Sequence, residues 1–223
     1  MTAKERPLNL RADEVRAVLD GTKTQMRRLM KPQPKVDHGL FLFVDPLHTR
    51  LLCVSDRDYH GHLPLIRGRT FHVPNIRCPF GVLRDRLWVR ESWCQRRDGG
   101  VFQDGKYWYA ADGVDIRKVD GDGAQEFWKD GTEASPWVSP VRMPREASRL
   151  ALEIVEVSVH RVQEISEQDA VAEGVAAGDE DAFPFKCAFA SLWDSLHAKR
   201  GFGWDANPWV WVVTFKKVRN AEV

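Results

Sequence analysis

Cysteine is scarce in this 223-residue chain: Cys53, Cys78, Cys94 and Cys187 are widely spaced and form no CxxC pair. His60, His62, His72 and Cys78 come nearest to a cluster, but no spacing matches a zinc template, so no metal and no cofactor is expected. Long apolar runs are missing as well. Those at Leu40–Val44 and at 208–215 fall well short of the roughly 18 residues that span a bilayer. Residues 1–7 carry no apolar signal region, and a cytoplasmic setting with reduced thiols and no membrane partner is the expectation. An excess of one charge is also absent. Lys+Arg number 33 against 32 Asp+Glu, a net +1, which argues against a protein that coats DNA. No Walker motif, GxSxG elbow or HExxH pair occurs, which sets those reaction classes aside. No repeat or heptad pattern marks a scaffold.

What remains is the composition of a globular protein, 43% hydrophobic and 29% charged. Residues 10–20 (LRADEVRAVLD) place Val15, Val18 and Leu19 at helical spacing, with a cap region at Ala12 or Asp13 and Gly21 as the stop. The following polar run to Lys31 suits an extended segment. Residues 1–31 hold eight Lys/Arg against four Asp/Glu, so the basic character is concentrated here. Residues 35–77 read as an irregular insertion with short strand-like runs, and 85–93 as a strand rich in aromatics. Residues 95–140 read as a second, loop-rich insertion of hairpins, with seven glycines and nine acids between 95 and 135. Alternating β-branched residues over 149–162 predict one long or two short strands. A capping box at Ser166 and Asp169 opens a helix that stops at Gly174, a second helix covers 184–197, and 209–216 is a closing strand. The order gives an α+β fold with a mainly antiparallel sheet or small barrel.

Four segments in this order, Gly21-Thr22-Lys23-Thr24-Gln25-Met26-Arg27, residues 85–93, residues 165–174 and residues 209–216, resemble the ASCH domain of the PUA-like superfamily. The stretches 78–81, 143–149 and 203–209 look like the longer version encoded by tailed phages and prophages, and the resemblance covers nearly the whole chain as one domain. It implies a small antiparallel or mixed β-barrel flanked by helices, with a cleft at the GxK segment that takes RNA or a modified nucleotide. Some small bacterial members remove the acetyl group from N4-acetylcytidine with a lysine, a threonine three residues later and a glutamate on the helix between the last strands. Lys23 and Glu173 occupy two of those positions, and Met26 occupies the third. Methionine can neither polarise a nucleophile nor move a proton. Thr24 stands in only if a turn brings it to the side of Lys23.

Three functions follow as expectations. The first is binding of RNA or a modified nucleotide through Lys23, Arg27, Arg28, Lys31 and Glu173, in which arginine's planar fork suits phosphate oxygens. The second is an amide hydrolase on acylated cytidine, or a ribonuclease, with Lys23, Glu173 and Thr24 as its catalytic set. The third is a phage assembly accessory protein, which no residue specifically supports. Plainer roles stand beside these: Lys23 complementing the helix dipole, Arg27 and Arg28 as solvated charges, and Glu91 paired with an arginine. Asp194, Asp205 and Asn207 fit turn chemistry, with a metal at the two aspartates as the lesser alternative. Trp209 and Trp211 read as core, while Trp108, Tyr109 and Trp128 in the insertion are candidates for base stacking.

Overall fold

The computed structural model describes residues 3–34, 40–44, 50–55, 71–98, 101–113, 137–175 and 184–218. His60, His62 and Trp128 lie outside them. The architecture is α+β. Its strands are β1 (Glu5–Asn9), β2 (Gln25–Leu29), β3 (Leu40–Val44), β4 (Arg50–Ser55), β5 (Phe71–Arg77), β6 (Arg86–Arg90), β7 (Trp93–Asp98), β8 (Val101–Tyr109), β9 (Ala151–Arg161) and β10 (Trp209–Val218), and its helices are α1 (Ala12–Asp20), α2 (Glu167–Ala172) and α3 (Phe185–His197). Five strands form a sheet of order β1-β6-β9-β10-β2; β3-β4-β5 form a second sheet, and β7-β8 a hairpin.

Hydrogen bonds between β1 and β6 climb together, from Arg86 N to Lys4 O and from Leu10 N to Arg90 O, so that pair is parallel. Ile154 N to Asp85 O and Val89 N to Leu150 O run in opposite directions, so β6 and β9 are antiparallel, and β10 pairs antiparallel with β2. The five-stranded sheet is therefore mixed. Its order has two ends, and closure into a barrel is not seen among the described residues.

The chain gathers into two compact units, one of residues 1–4, 22–86 and 153–216, the other of 5–21, 87–152 and 217–223. In the first, Val162, Ile165, Ala170, Phe189, Trp193, Val210 and Val212 form a core cluster, with Leu29 packed against it. Val210 and Val212 face Leu29 and Arg27 across the β10–β2 register, so one face of this strand pair carries the core on which α3 packs. Each fully buried aliphatic side chain there stabilises by about 1.5–3 kcal/mol. Ser166 caps α2, its hydroxyl accepting from Asp169 N at 3.1 Å while the Asp169 carboxylate accepts from Ser166 N.

In the second unit α1 starts one residue earlier than the sequence suggests. Arg11 is the N-cap, and its amide donates to Glu14 Oε2 at 3.0 Å. Gly21, at φ 81°, closes the helix in the left-handed conformation that a side chain would strain. The strand expected over 85–93 ends at Arg90, and β7 starts at Trp93. Leu87 and Val89 are buried and Trp88 is half-exposed, so the inward face of β6 is that of Leu87 and Val89. Glu91, in the break, is buried. Arg149 grips it with two parallel hydrogen bonds of 2.9 and 3.0 Å and holds Asp112 at 2.7 Å. The Arg149 guanidinium lies 4.1 Å from the Tyr109 ring centre, and the Tyr109 hydroxyl donates to Ala147 O. Burial pushes the Tyr109 hydroxyl up to about 12, against the pull of Arg149. Tyr109 is thus a packed partner of an arginine and not an open stacking platform.

Candidate functional site

The site is assembled in the first unit from the segment entering β2 and from the C-terminal end of α2. The main chain sets the entry. Thr24 N donates to Ala172 O at 2.8 Å, and Phe215 N donates to Thr24 O at 2.9 Å. Thr24 therefore contributes its backbone, and its side chain is exposed. Residue 23 is turned inward, and the Lys23 side chain is only 2% exposed. Its ammonium donates to the main-chain oxygen of Glu173 at 2.7 Å and to Glu173 Oε2 at 3.3 Å. Lys23 does complement a helix terminus, that of α2.

Glu173 is the C-cap of α2, followed by Gly174 at φ 74°, and its side chain is 6% exposed. Both carboxylate oxygens meet a cation: Oε2 the ammonium of Lys23, and Oε1 the Arg27 Nη1 at 3.2 Å. Arg27 is itself 3% exposed, and its Nη2 pairs with Asp169 Oδ2 at 3.1 Å. Asp169 lies one helical turn before Glu173, so the two carboxylates share a face of α2. Two cations therefore face two carboxylates, which makes the centre electrically balanced and largely dry.

Burial pushes the Glu173 carboxyl above the usual range, against Lys23, Arg27 and Arg28, which favour its ionised form. Asp169, at 35% exposure, moves the other way. Burial raises it, yet the Ser166 amide and hydroxyl together with Arg27 outweigh that and hold it below the ordinary aspartate value. One donor stands apart. The Arg27 Nε is buried and has no hydrogen-bond partner among the described residues. An unsatisfied buried donor costs about 1–3 kcal/mol, which an acceptor from a bound molecule would remove.

Side-chain alternation along β2 decides which residues join this centre. Gln25 shares the face of Arg27, and its Oε1 accepts from Arg27 Nη1. Met26 lies on the opposite face, fully buried and in register with Val213. The polar side chain that this alternation adds to the centre, through Arg27, is therefore Gln25. Sequence reading passed over it and gave Asp169 only a capping role; counting two back from Arg27 on a strand and four back from Glu173 on a helix is the signal that finds both.

Arg28 is half-buried and its charge reaches Glu173, while Lys31 is exposed. Trp211 is buried in the core, and Trp209 carries the Arg161 guanidinium 4.3 Å from its ring centre. Asp194 accepts from Trp204 N at 2.6 Å, which makes it a turn fastener. Gly203 is required for that approach, because a Cβ there would stand 2.9 Å from Asp194 Oδ1.

No protein family, no curated protein and no solved structure matches this chain. No helix among the described residues is long and apolar enough to cross a membrane.

Proposed function

We propose that this chain is a PUA-like, ASCH-type domain that binds RNA or a modified nucleotide at the segment 21–27, with Lys23, Gln25, Arg27 and Glu173 facing the base. The observation that carries the reading is the Arg27 Nε, a buried guanidinium donor without an acceptor, set between a carboxamide and two carboxylates. A nucleobase edge presents donors and acceptors side by side, which suits a cluster of this mixed polarity. Protection against thermal unfolding by cytidine and its acylated derivatives tests it. Protection unchanged in the Lys23→Ala/Arg27→Ala variant refutes it.

A second reading is favoured by the contact between Lys23 Nζ and Glu173 Oε2. In a dry site a proton passing from the ammonium to the carboxylate leaves a neutral amine beside a carboxylic acid. The amine then takes a proton from the water that attacks an acyl carbon. The acid gives its proton to the departing N4 of cytidine, which restores the original charges. This hydrolase needs no hydroxyl at position 26. Incubation with N4-acetylcytidine and mass detection of cytidine tests it, and turnover retained in Lys23→Ala refutes it.

A further inference from the structure

We propose that the end of α3 with the turn that follows it, and the segment just past β2, form a phosphate track for single-stranded RNA, made of Lys31, Lys199, Arg200 and the imidazole of His197, with Arg28 beside it. The proposal rests on the nucleotide reading above. Leu29 packs against the cluster that holds Phe189 and Trp193, and the charges of Arg28 and Lys31 reach the His197 ring at the end of α3, although about 170 positions separate them in the chain. His197 lies on the Trp193 ring with centres 4.1 Å apart. Arg200 Nη2 reaches both His197 Nδ1 at 2.7 Å and Leu196 O at 2.9 Å. Guanidinium can only donate, so Nδ1 is the acceptor and the imidazole is neutral, with its proton on Nε2.

Burial first, and then the charges of Arg200, Arg28 and Lys31, press the His197 ring down to about 4. Cations from two elements thus converge on one ring. The carboxylate on this stretch of α3, Asp194, is engaged by the Trp204 amide. Lys199 and Arg200 are exposed. The occupant is a single strand because the Lys23–Glu173–Arg27 centre is buried, and a base held in a duplex stack cannot enter it. The cations left outside that neutral centre supply the charge that a backbone needs.

The test is anisotropy of a labelled short single-stranded RNA against salt, for the wild type and for Lys199→Ala/Arg200→Ala. Each phosphate contact on a single strand contributes about 0.7 to the slope of log K against log salt, so the variant's slope becomes shallower by about 1.4. NMR of His197 adds an independent readout: RNA raises its pKa, because a bound phosphate favours the imidazolium. An unchanged slope, an unmoved His197 pKa, or stronger binding of anionic vesicles or of DNA of the same sequence overturns the proposal. Cytidine carries no phosphate and reports on the Arg27 centre alone. Loss of cytidine protection with the slope change intact is a failure of the nucleotide reading, and the reverse pattern is a failure of the track.

Discussion

Replacing Glu173 by glutamine tests the description of the centre most directly, because the volume barely changes while one of two carboxylates disappears. Arg27 would then keep Asp169, which is partly solvated, and Lys23 would lose the Glu173 carboxylate. Removing one partner of a buried ion pair costs about 3–5 kcal/mol. Burial already opposes ionisation of Glu173, so part of the wild-type attraction is spent on desolvation and the loss should fall near the lower bound, about 3 kcal/mol. For a chain of this size that is a fall in Tm of about 6–12 °C. Urea unfolding at neutral pH checks it, with the m-value unchanged. The double variant Lys23→Met/Glu173→Gln restores neutrality and should recover at least half of the loss. A loss under about 1 kcal/mol, or no recovery in the double variant, would refute the account of a dry, charge-balanced centre.

Arg149→Met should cost about 3–5 kcal/mol, since it strands the buried Glu91 carboxylate. Glu91 is held above its ordinary value by burial, against Arg149, so its protonation favours the folded state. The variant's deficit should therefore shrink as pH falls, and urea midpoints at acidic and neutral pH would show it. Ser166→Ala removes the hydroxyl that accepts from Asp169 N and should lower stability by about 1 kcal/mol, or about 2–4 °C in thermal unfolding. His197 titrates near 6.5 when unfolded and about 4 when folded, so its contribution is complete above 6.5 and is lost as pH falls toward 4. With screening at this half-buried ring the effect is about 1 kcal/mol, and His197→Gln should flatten that part of the pH–stability curve.

Elements whose local signals agree were legible in the sequence. The capping box at Ser166, the apolar face of 184–197 and the alternation of 209–216 predict α2, α3 and β10 to within a residue or two. Lys23 and Glu173 came from a family resemblance, not from periodicity, because a pair 150 residues apart leaves no local trace. What escaped was set by tertiary context. β1 is five residues with a proline at its centre, a poor strand signal that pairing with β6 overrides. The break at Glu91 follows from the hydrogen bonds that bury a carboxylate on Arg149, and no propensity encodes them. Gln25 needed the strand's exact start before its face could be assigned.

The order in which the strands leave the ribosome has a consequence for the nascent chain. β10 lies between β9 and β2 in the sheet yet follows both in the chain, and Glu173 is translated 150 residues after Lys23. At about 5–20 residues per second the lysine waits roughly 8–30 s for its carboxylate. During that interval Lys23 and Arg27 are ordinary solvated cations, and neither unit can mature from an N-terminal fragment alone, because each is built from discontinuous segments. Vectorial synthesis thus leaves the polar centre open until α2 has been made, and β10 then has to slot between two strands that precede it.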